Sequence, residues 1–426
     1  MSKLIRAGIA ALALVAAARA DETCLSPYMP KITGQEDYVY VWTLGVEGLG
    51  DGSDKLVTIG ANPERKGTYG KVVASVSVGG RHEAHHGDFT DDRRFFWAGG
   101  LDDSRMWVFD VATDPGKPKL AKAIDTFVQD SGGVVGPHSF TALPGRMLIT
   151  GLSNAKDKEG ATGLVEYNND GKYIQTIWMP EGATYGYDAR VQPRLNRMLT
   201  SSFTGWNNYM TELPKVISNP EAMKRFGNTM VAWDFHARKP IQTLAVPGAP
   251  LEIRWALGPR HNYAFTTTAL TSKIWLIEQQ ADGRFAASAV ADIGDPSKTP
   301  LPVDISLSAD DRFLFVDTFM DGTCRVYDVS DPHKPTLVHE QQIGKQLNMV
   351  SGTWDGERLY FTSSLLAKWD KTGADDEQFL KAYHWDGKTL APLFAVDFTK
   401  EQLGRPHLTR FGQDQFSKNQ IYASVR

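Results

Sequence analysis

A pattern of alternating apolar and polar residues recurs along this 426-residue chain, and it restricts the possible folds more than any other feature. One copy begins at Arg93 and another at Asp311, with the sequences RRFFWAGGLDDSRMWVFDVATDPGKPKL and DRFLFVDTFMDGTCRVYDVSDPHKPTL. Each copy holds two runs rich in Val, Phe, Tyr and Trp around a polar turn, which is typical of antiparallel strands. Weaker copies read GRMLITGLSN, NRMLTSSFTG, HNYAFTTTALTSKIWLIE and ERLYFTSSLLAKWD.

Seven polar positions lie shortly before these runs, each near the predicted start of a strand. They are 44 to 64 residues apart along the chain, and they are His85 with His86, His138, Asp188, Glu252, Asp304, Asn348 and His407. This interval is that of a four-stranded propeller blade with loops of varying length. The spacing predicts an all-β, seven-bladed β-propeller whose last blade is completed by the strand around 38–42. An eight-bladed propeller and a pair of β-sandwiches are the alternatives.

The first twenty residues have the pattern of a secretory signal peptide. Lys3 and Arg6 precede a mostly apolar run, 7–18, which is too short to span a bilayer. Small residues at Ala18 and Ala20 favour cleavage after Ala20, so we expect a periplasmic protein with one propeller domain over 21–426. No later segment is apolar enough for a membrane span. The net charge of −4, without a basic run, does not favour nucleic acid as a partner.

Four of the ten histidines are predicted to meet at one end of the propeller channel. The innermost strands of a propeller line its channel, so residues at their starts converge near one mouth. His85, His86, His138 and His407 lie on blades that are consecutive once the ring closes. Imidazole binds Zn, Cu, Fe and Ni, and affinity for divalent metals peaks at copper. The pattern therefore indicates a redox copper or a catalytic zinc site, and spacing does not decide between them.

The same stretch also satisfies the zinc-protease motif H-E-x-x-H, from His82 to His86. That motif requires a helix, where positions i and i+4 share a face. Glycines flank this stretch inside a strand-rich repeat, so we expect an extended chain and no protease site. Neighbours in a regular strand point to opposite faces, so His85 and His86 can both bind a metal only if Gly87 marks a bulge or bend.

The other side of the predicted ring carries Asp188, Glu252 and Asp304. Strand alternation places Arg254 on the same face as Glu252, where it offsets nearby carboxylates. These four residues are the candidate catalytic groups, with a carboxylate as proton acceptor. The alternative is that the carboxylates bind backbone amides between blades.

At these positions the chain resembles the selenium-binding protein family, and most closely its bacterial methanethiol oxidase branch. The similarity covers nearly all of the chain after residue 20. The shared motifs are EAHH (83–86), GPHSF (136–140), GYD (186–188), APLEIRW (249–255), LPVDISLS (301–308), RVYDVSDP (325–332), YFTSSL (360–365) and RPHL. The stretches SSFTGWNNYM and GDPSKTPLPVDIS favour the bacterial branch over animal relatives.

This resemblance implies a seven-bladed propeller with copper as cofactor. It implies oxidation of methanethiol by O2 and water to formaldehyde, hydrogen sulfide and hydrogen peroxide. The metal ligands of the family fall on His85, His86, His138 and His407. Animal members carry a cysteine just upstream of the two adjacent histidines that is linked with selenium binding; the corresponding stretch here, GKVVASVSVGG, has none, which argues against selenium binding.

Two other functions fit the same residues. A propeller can be a binding scaffold, so the histidines could hold copper or bind sulfur or selenium compounds without catalysis. A hydrolase or lactonase with a hard metal would instead use the carboxylate side of the ring. A homo-oligomer is possible, and the insertion 205–225 is a candidate lid or subunit contact. Cys24 and Cys324 could form a disulfide in an oxidising compartment, with two unpaired thiols as the alternative.

Overall fold

Seven antiparallel sheets of four strands each form the blades of a ring in the computed structural model, which describes residues 25–32, 34–370 and 377–414. Blade 7 contains β1 (Tyr38–Leu44), β2 (Lys55–Gly60) and β3 (Val72–Ser77). Blade 1 contains β4 (Ala84–Phe89), β5 (Phe95–Gly100), β6 (Met106–Asp110) and β7 (Lys119–Ile124). Blade 2 contains β8 (Val134–Leu143), β9 (Arg146–Asn154), β10 (Gly163–Asn168) and β11 (Tyr173–Trp178). Blade 3 contains β12 (Ala189–Gln192), β13 (Arg197–Thr200), β14 (Thr229–Asp234) and β15 (Lys239–Ala245). Blade 4 contains β16 (Pro250–Trp255), β17 (Tyr263–Thr268), β18 (Lys273–Gln279) and β19 (Phe285–Asp292). Blade 5 contains β20 (Pro302–Leu307), β21 (Phe313–Thr318), β22 (Thr323–Asp328) and β23 (Thr336–Gln342). Blade 6 contains β24 (Met349–Gly352), β25 (Arg358–Thr362), β26 (Phe379–Trp385) and β27 (Leu390–Asp397). The last strand, β28 (Arg405–Gly412), returns to blade 7.

The ring closes through β28 and β1, which come from opposite ends of the chain. They pair antiparallel, with Val41 opposite Thr409, and β28 is the innermost strand of blade 7. The prediction of an all-β, seven-bladed propeller closed by the first strand is therefore confirmed. This closure stabilises the ring because its two ends share a sheet.

Burial follows the position of each strand in its blade. The innermost strands are almost wholly buried, whereas the outermost strands β7 and β23 are mostly exposed. Neighbouring innermost strands contact one another around the whole ring and enclose the channel. Apolar side chains fill the spaces between blades; Trp97, Phe140 and Tyr167 belong to one such cluster between blades 1 and 2. Burial of these large side chains is the main stabilising term.

Residues 25–32 lie beside the end of the channel where the innermost strands finish. The Ser26 hydroxyl donates a hydrogen bond to the carbonyl of Ala142, near the end of β8. Arg93, in the turn after β4, donates to the carbonyls of Pro30 and Phe411. The predicted histidine mouth lies at the opposite end, where the innermost strands begin.

The helices are few and short, and three of them lie in one insertion between β13 and β14. They are α1 (Phe127–Asp130), α2 (Trp206–Tyr209), α3 (Leu213–Ile217) and α4 (Pro220–Met223), with single 3₁₀ turns at Pro193–Leu195 and Pro296–Lys298. Asn219 caps α4, because its side-chain oxygen accepts hydrogen bonds from the amides of Glu221 and Ala222. Among the described residues, none of the helices has the length and apolar character needed to cross a bilayer.

Two sequence predictions fall on residues that the structure does not describe. The signal peptide, 1–20, lies outside the described range, so its cleavage and the periplasmic location stay predictions. Cys324 is buried in β22, but Cys24 also lies outside that range, so the proposed disulfide is untested.

Candidate metal centre

β-bulges place the predicted site residues in the channel. In β4 the pairing register shifts between Ala84 and Gly87, so that His85 and His86 together face one residue of β5. Such a bulge re-aims side chains that a regular strand would point to opposite faces. The register of the innermost strand also shifts next to His138, Glu252 and His407. The bend that the sequence required for two adjacent histidine ligands is therefore present.

Close backbone packing explains why a glycine follows the two histidines. A Cβ atom at Gly87 would lie 2.5 Å from the carbonyl oxygen of Trp97 on β5. Several strands are entered through a residue with a left-handed backbone, which lies two or three positions before the site residue. These residues include Glu83 (φ 61°), Gly136 (φ 66°), Ala249 (φ 62°) and Leu301 (φ 59°). Non-glycine residues in this region carry strain, and such strain is concentrated at functional sites.

Four imidazole rings form a compact cluster in the channel. The ring centroid of His85 lies 3.8 Å from that of His407 and 4.9 Å from those of His86 and His138. His86 lies 4.2 Å from His138. The possible ligand atoms of His85, His86 and His407 all lie within 4.8 Å of one another. The structure thus brings together all four histidines that the blade spacing grouped, and three of them are near enough to share one ion.

Hydrogen bonds fix which nitrogen His138 and His407 can offer to a metal. Nδ1 of His138 donates to the carbonyl of Tyr187 (3.0 Å), and Nδ1 of His407 donates to the carbonyl of Ser364 (2.9 Å). This leaves Nε2 of both rings without a hydrogen on neutral imidazole. Within the described chain, those two Nε2 atoms and Nδ1 of His85 are buried without a hydrogen-bond partner. The side-chain amide of Asn348 lies 3.1 Å from Nδ1 of His407.

Burial keeps these histidines neutral. Loss of solvation lowers the pKa of His138 and of His407 to about 3, and lowers the pKa of His85 and His86 well below the ordinary value. A neutral imidazole carries the lone pair that a metal binds. Buried nitrogen atoms with free lone pairs are costly unless something binds them. The residues present therefore fit a metal held by imidazole.

His82, the first histidine of the H-E-x-x-H pattern, lies outside this cluster. Its Nδ1 is 2.7 Å from a carboxylate oxygen of Asp103, and its ring packs against Trp107. The interaction with Asp103 raises the pKa of His82 against the opposing effect of burial. The stretch is not helical, since Glu83 has a left-handed backbone and strand β4 begins at Ala84, so it does not present two histidines on one helical face.

Asp188 and Asp304 connect neighbouring blades. Oδ2 of Asp188 accepts a hydrogen bond from the amide of Ile253, on blade 4 (3.0 Å). Oδ2 of Asp304 accepts one from the amide of Val350, on blade 6 (3.0 Å). Burial raises the pKa of both carboxyls, that of Asp304 to about 7. Asp188 and Asp304 therefore bind backbone amides between blades, which was the alternative to a catalytic role.

Glu252 is placed differently. Its Oε2 accepts hydrogen bonds from Arg254 (2.8 Å) and Arg190 (3.4 Å), while its Oε1 is buried without a partner in the described chain and lies 3.8 Å from Nε2 of His86. Burial would raise the pKa of Glu252, but the two guanidinium groups outweigh it and hold that pKa below its ordinary value. Arg254 also donates to Asp304 (2.8 Å). Glu252 is thus the carboxylate that faces the histidines.

Sequence reasoning missed three residues of the site. Arg190 follows Asp188 by two positions, as Arg254 follows Glu252, so strand alternation would have identified it. Asp317 accepts a hydrogen bond from the amide of Asp304 (2.6 Å), but it lies on a second strand, where the blade period gives no signal. The ring of Tyr187 packs on that of His138 with a centroid distance of 4.0 Å. The blade period selected its neighbour Asp188 as the channel residue, so Tyr187 was not considered.

An apolar chamber borders the cluster on the side of His85. Its walls include Tyr187, Phe203, Leu251, Val303 and Trp369. Leu365, Leu366 and Trp369 form one side of it, and apolar residues of 205–226 pack in the same cluster as these three; we call residues 205–226 and 364–370 the cap. The cap is joined by two hydrogen bonds, from the indole nitrogen of Trp369 to the carbonyl of Thr211 (3.1 Å) and from the amide of Leu213 to the carbonyl of Lys368 (3.3 Å).

Comparison with known proteins gives consistent matches along almost the entire chain. A family model described as 56 kDa selenium binding protein matches residues 18–419. A protein of Ruegeria pomeroyi named methanethiol oxidase is 60% identical over 96% of this chain and 97% of its own length. One of Hyphomicrobium with the same name is 55% identical over 96% of each. An X-ray structure of a hypothetical selenium-binding protein from Sulfolobus tokodaii has 25% identity and a TM-score of 0.79, and the match covers 92% of this chain and 97% of that one.

Proposed function

Since the chain belongs to the family of 56 kDa selenium-binding proteins, we propose that it is a copper-dependent methanethiol oxidase. In this reaction methanethiol, O2 and water give formaldehyde, hydrogen sulfide and hydrogen peroxide. The thiol carbon is oxidised by two electrons, and O2 is reduced by two electrons to peroxide. The oxygen atom of formaldehyde comes from water, and the C–S bond breaks to release the sulfur as sulfide.

The observation that carries the proposal is the cluster of four buried, neutral imidazoles with three unpartnered nitrogen atoms. We propose that His85, His86 and His407 hold the copper ion, with His138, whose ring lies 4.2 Å from that of His86, as the fourth ligand. Bound copper supplies a redox centre and a soft site for a thiolate sulfur. The carbonyls of Tyr187 and Ser364 orient the rings of His138 and His407, because each accepts the hydrogen of Nδ1.

Glu252 is the proposed proton acceptor. Its Oε1 is the one oxygen among the carboxylates of Asp188, Glu252 and Asp304 that lies beside the histidines without a hydrogen bond. Arg254 and Arg190 keep this carboxyl ionised, so it can take a proton from the methyl group of the thiol. The roles proposed for Asp188 and Asp304 are correspondingly structural, since both bind the backbone of the next blade.

Metal removal and replacement test this function. We expect chelation to abolish thiol-dependent O2 uptake, and copper but not zinc to restore it together with the formation of sulfide and peroxide. His138→Ala and His407→Ala should lower bound copper, because each removes an unpartnered nitrogen atom. His82→Ala is the matched control, since His82 binds Asp103 and should leave copper content unchanged.

The outcomes separate the alternatives. Full activity in a metal-free preparation, or unchanged copper in both His138→Ala and His407→Ala, would contradict the proposal. Tight copper binding without any turnover of methanethiol would instead support a non-catalytic copper-binding propeller.

A further inference from the structure

The chamber beside His85 is small as well as apolar. Its cavity volume is about 10 Å³, which is about the space that one water molecule needs. Apart from His85, the polar side-chain atoms of its walls are the hydroxyl of Tyr187 and the indole nitrogen of Trp369, which already donates to Thr211. Such a space suits a single methyl-sized group and offers a longer alkyl chain no room without movement of its walls.

We infer that this chamber receives the alkyl group of the thiol, and that Phe203 determines how large that group can be. The inference rests on the proposed function, since it concerns the same site. A sulfur atom held at the histidine cluster has its alkyl group on the side of His85 that the chamber occupies. The substrate class is then short, unbranched alkanethiols, and the limit on chain length is set by a side chain that touches neither the histidines nor Glu252.

Phe203 is the wall residue that contacts both Tyr187, next to the histidines, and Trp369, in the cap. Its ring packs edge-on against Tyr187 with a centroid distance of 5.5 Å, and Tyr187 in turn packs on His138. On its other side the ring lies 5.5 Å from Trp369, which belongs to the cap. Phe203 therefore fills the space between the floor at the histidines and the cap above.

The remaining walls have little freedom to yield. Leu251 and Val303 are buried at the bulges that begin the innermost strands β16 and β20, and the carbonyl of Leu251 accepts a hydrogen bond from the hydroxyl of Ser201 (2.6 Å). Trp369 is held through its indole nitrogen by Thr211. Loss of the Phe203 ring is consequently the change that enlarges the chamber without disturbing a strand or the junction of the cap.

Chain-length selectivity is the measurable consequence. A methylene group that a pocket accepts or rejects changes binding by about tenfold or more. In the wild type we expect affinity to fall in the order methanethiol, ethanethiol, 1-propanethiol and 1-butanethiol. In Phe203→Ala the order should reverse for the longer thiols, with a gain of about tenfold or more for 1-butanethiol relative to methanethiol.

Phe226→Ala is the matched control. Phe226 belongs to the same apolar cluster and lies 5.8 Å from Phe203 and 6.5 Å from Trp369, but it does not line the chamber. The same atoms are removed in both variants, so a general loss of packing affects both. Selectivity should change in Phe203→Ala only, and Phe203→Leu should give a smaller change of the same sign if Phe203→Ala fails to fold.

The experiment is equilibrium binding of the four thiols to copper-loaded protein without O2, followed by kcat/KM for each thiol with O2. If the thiols bind in the expected order but none is turned over, the proposed oxidase function is wrong and the inference that the chamber receives the alkyl group still holds. A wild type that binds 1-butanethiol as well as methanethiol would overturn the inference. So would equal changes of selectivity in the Phe203 and Phe226 variants.

Discussion

Glu252 and its neighbours show how one chemical group takes different roles within a single channel. The carboxylates of Asp188 and Asp304 accept hydrogen bonds from the next blade, whereas Oε1 of Glu252 remains beside His86. Two arginines flank Glu252, and together they outweigh the effect of burial on its pKa. The difference comes from which partners lie near each oxygen atom, since all three side chains are buried.

Replacement of Glu252 by Gln tests its role as proton acceptor. We expect copper content to be retained and kcat for methanethiol oxidation to fall by about a hundredfold or more, since an amide cannot accept the proton. Copper analysis and single-turnover kinetics measure the two quantities separately. An unchanged kcat in Glu252→Gln would remove Glu252 from the mechanism.

A suitable control carboxylate lies elsewhere in the fold. Glu36 is also buried, and it binds Arg358 and the hydroxyl of Tyr360, far along the chain from the histidines. Glu36→Gln should lower stability but leave kcat unchanged at temperatures well below unfolding. Equal losses of kcat in both variants would indicate a general structural effect.

At the scale of strands, the bulges and the first segment of the chain matter most. Each bulge turns the start of an innermost strand so that its polar residue faces the channel. The segment 34–37 leads into β1 and is attached to blade 6 by Glu36 and Arg358, whose charged atoms approach to 2.9 Å. This ion pair fastens the segment just before the strand that closes the ring.

Arg358→Ala should destabilise the protein strongly. It leaves the carboxylate of Glu36 buried without its charged partner, and such a loss costs about 3–5 kcal/mol. Arg312 is the matched control, because it directly precedes the second strand of blade 5, and Arg358 begins the second strand of blade 6. The Arg312 side chain is 56% exposed, and its ion pair with Asp328 is at the surface. Arg312→Ala should cost no more than about 1 kcal/mol. Urea unfolding compares the two variants, and similar losses would show that the buried pair contributes nothing special.

At the scale of the whole molecule, the channel has two unlike ends. The innermost strands begin at the histidine cluster, next to the cap, and their other ends lie beside residues 25–32. Those residues come shortly after the predicted signal peptide, 1–20.

We propose that the protein is exported and processed after Ala20. Intact-mass analysis of the periplasmic fraction from a Gram-negative host should show a chain that begins at Asp21. Ala20→Trp should block processing, because the cleavage site requires small residues. The control is Ala11→Leu, which keeps the run apolar and should be processed normally. A cytoplasmic product that retains residues 1–20 would contradict export.

The sequence by itself determined the number of blades, the closing strand and the residue types at the channel. A blade is built from strands that are consecutive along the chain, so its period is visible as a spacing of about 50 residues. The grouping of four histidines followed from that period alone. The sequence also indicated that His85 and His86 could face the same way only if the strand bends at Gly87.

Only the tertiary structure decided how the individual atoms are used. Which carboxylate keeps a free oxygen depends on hydrogen bonds from the next blade, and no spacing encodes them. The chamber depends on contacts such as that of Trp369 with Thr211, which are 158 residues apart. Strand periodicity reports local geometry, whereas these features arise when distant loops and side chains pack together, so they appear only once the ring has closed.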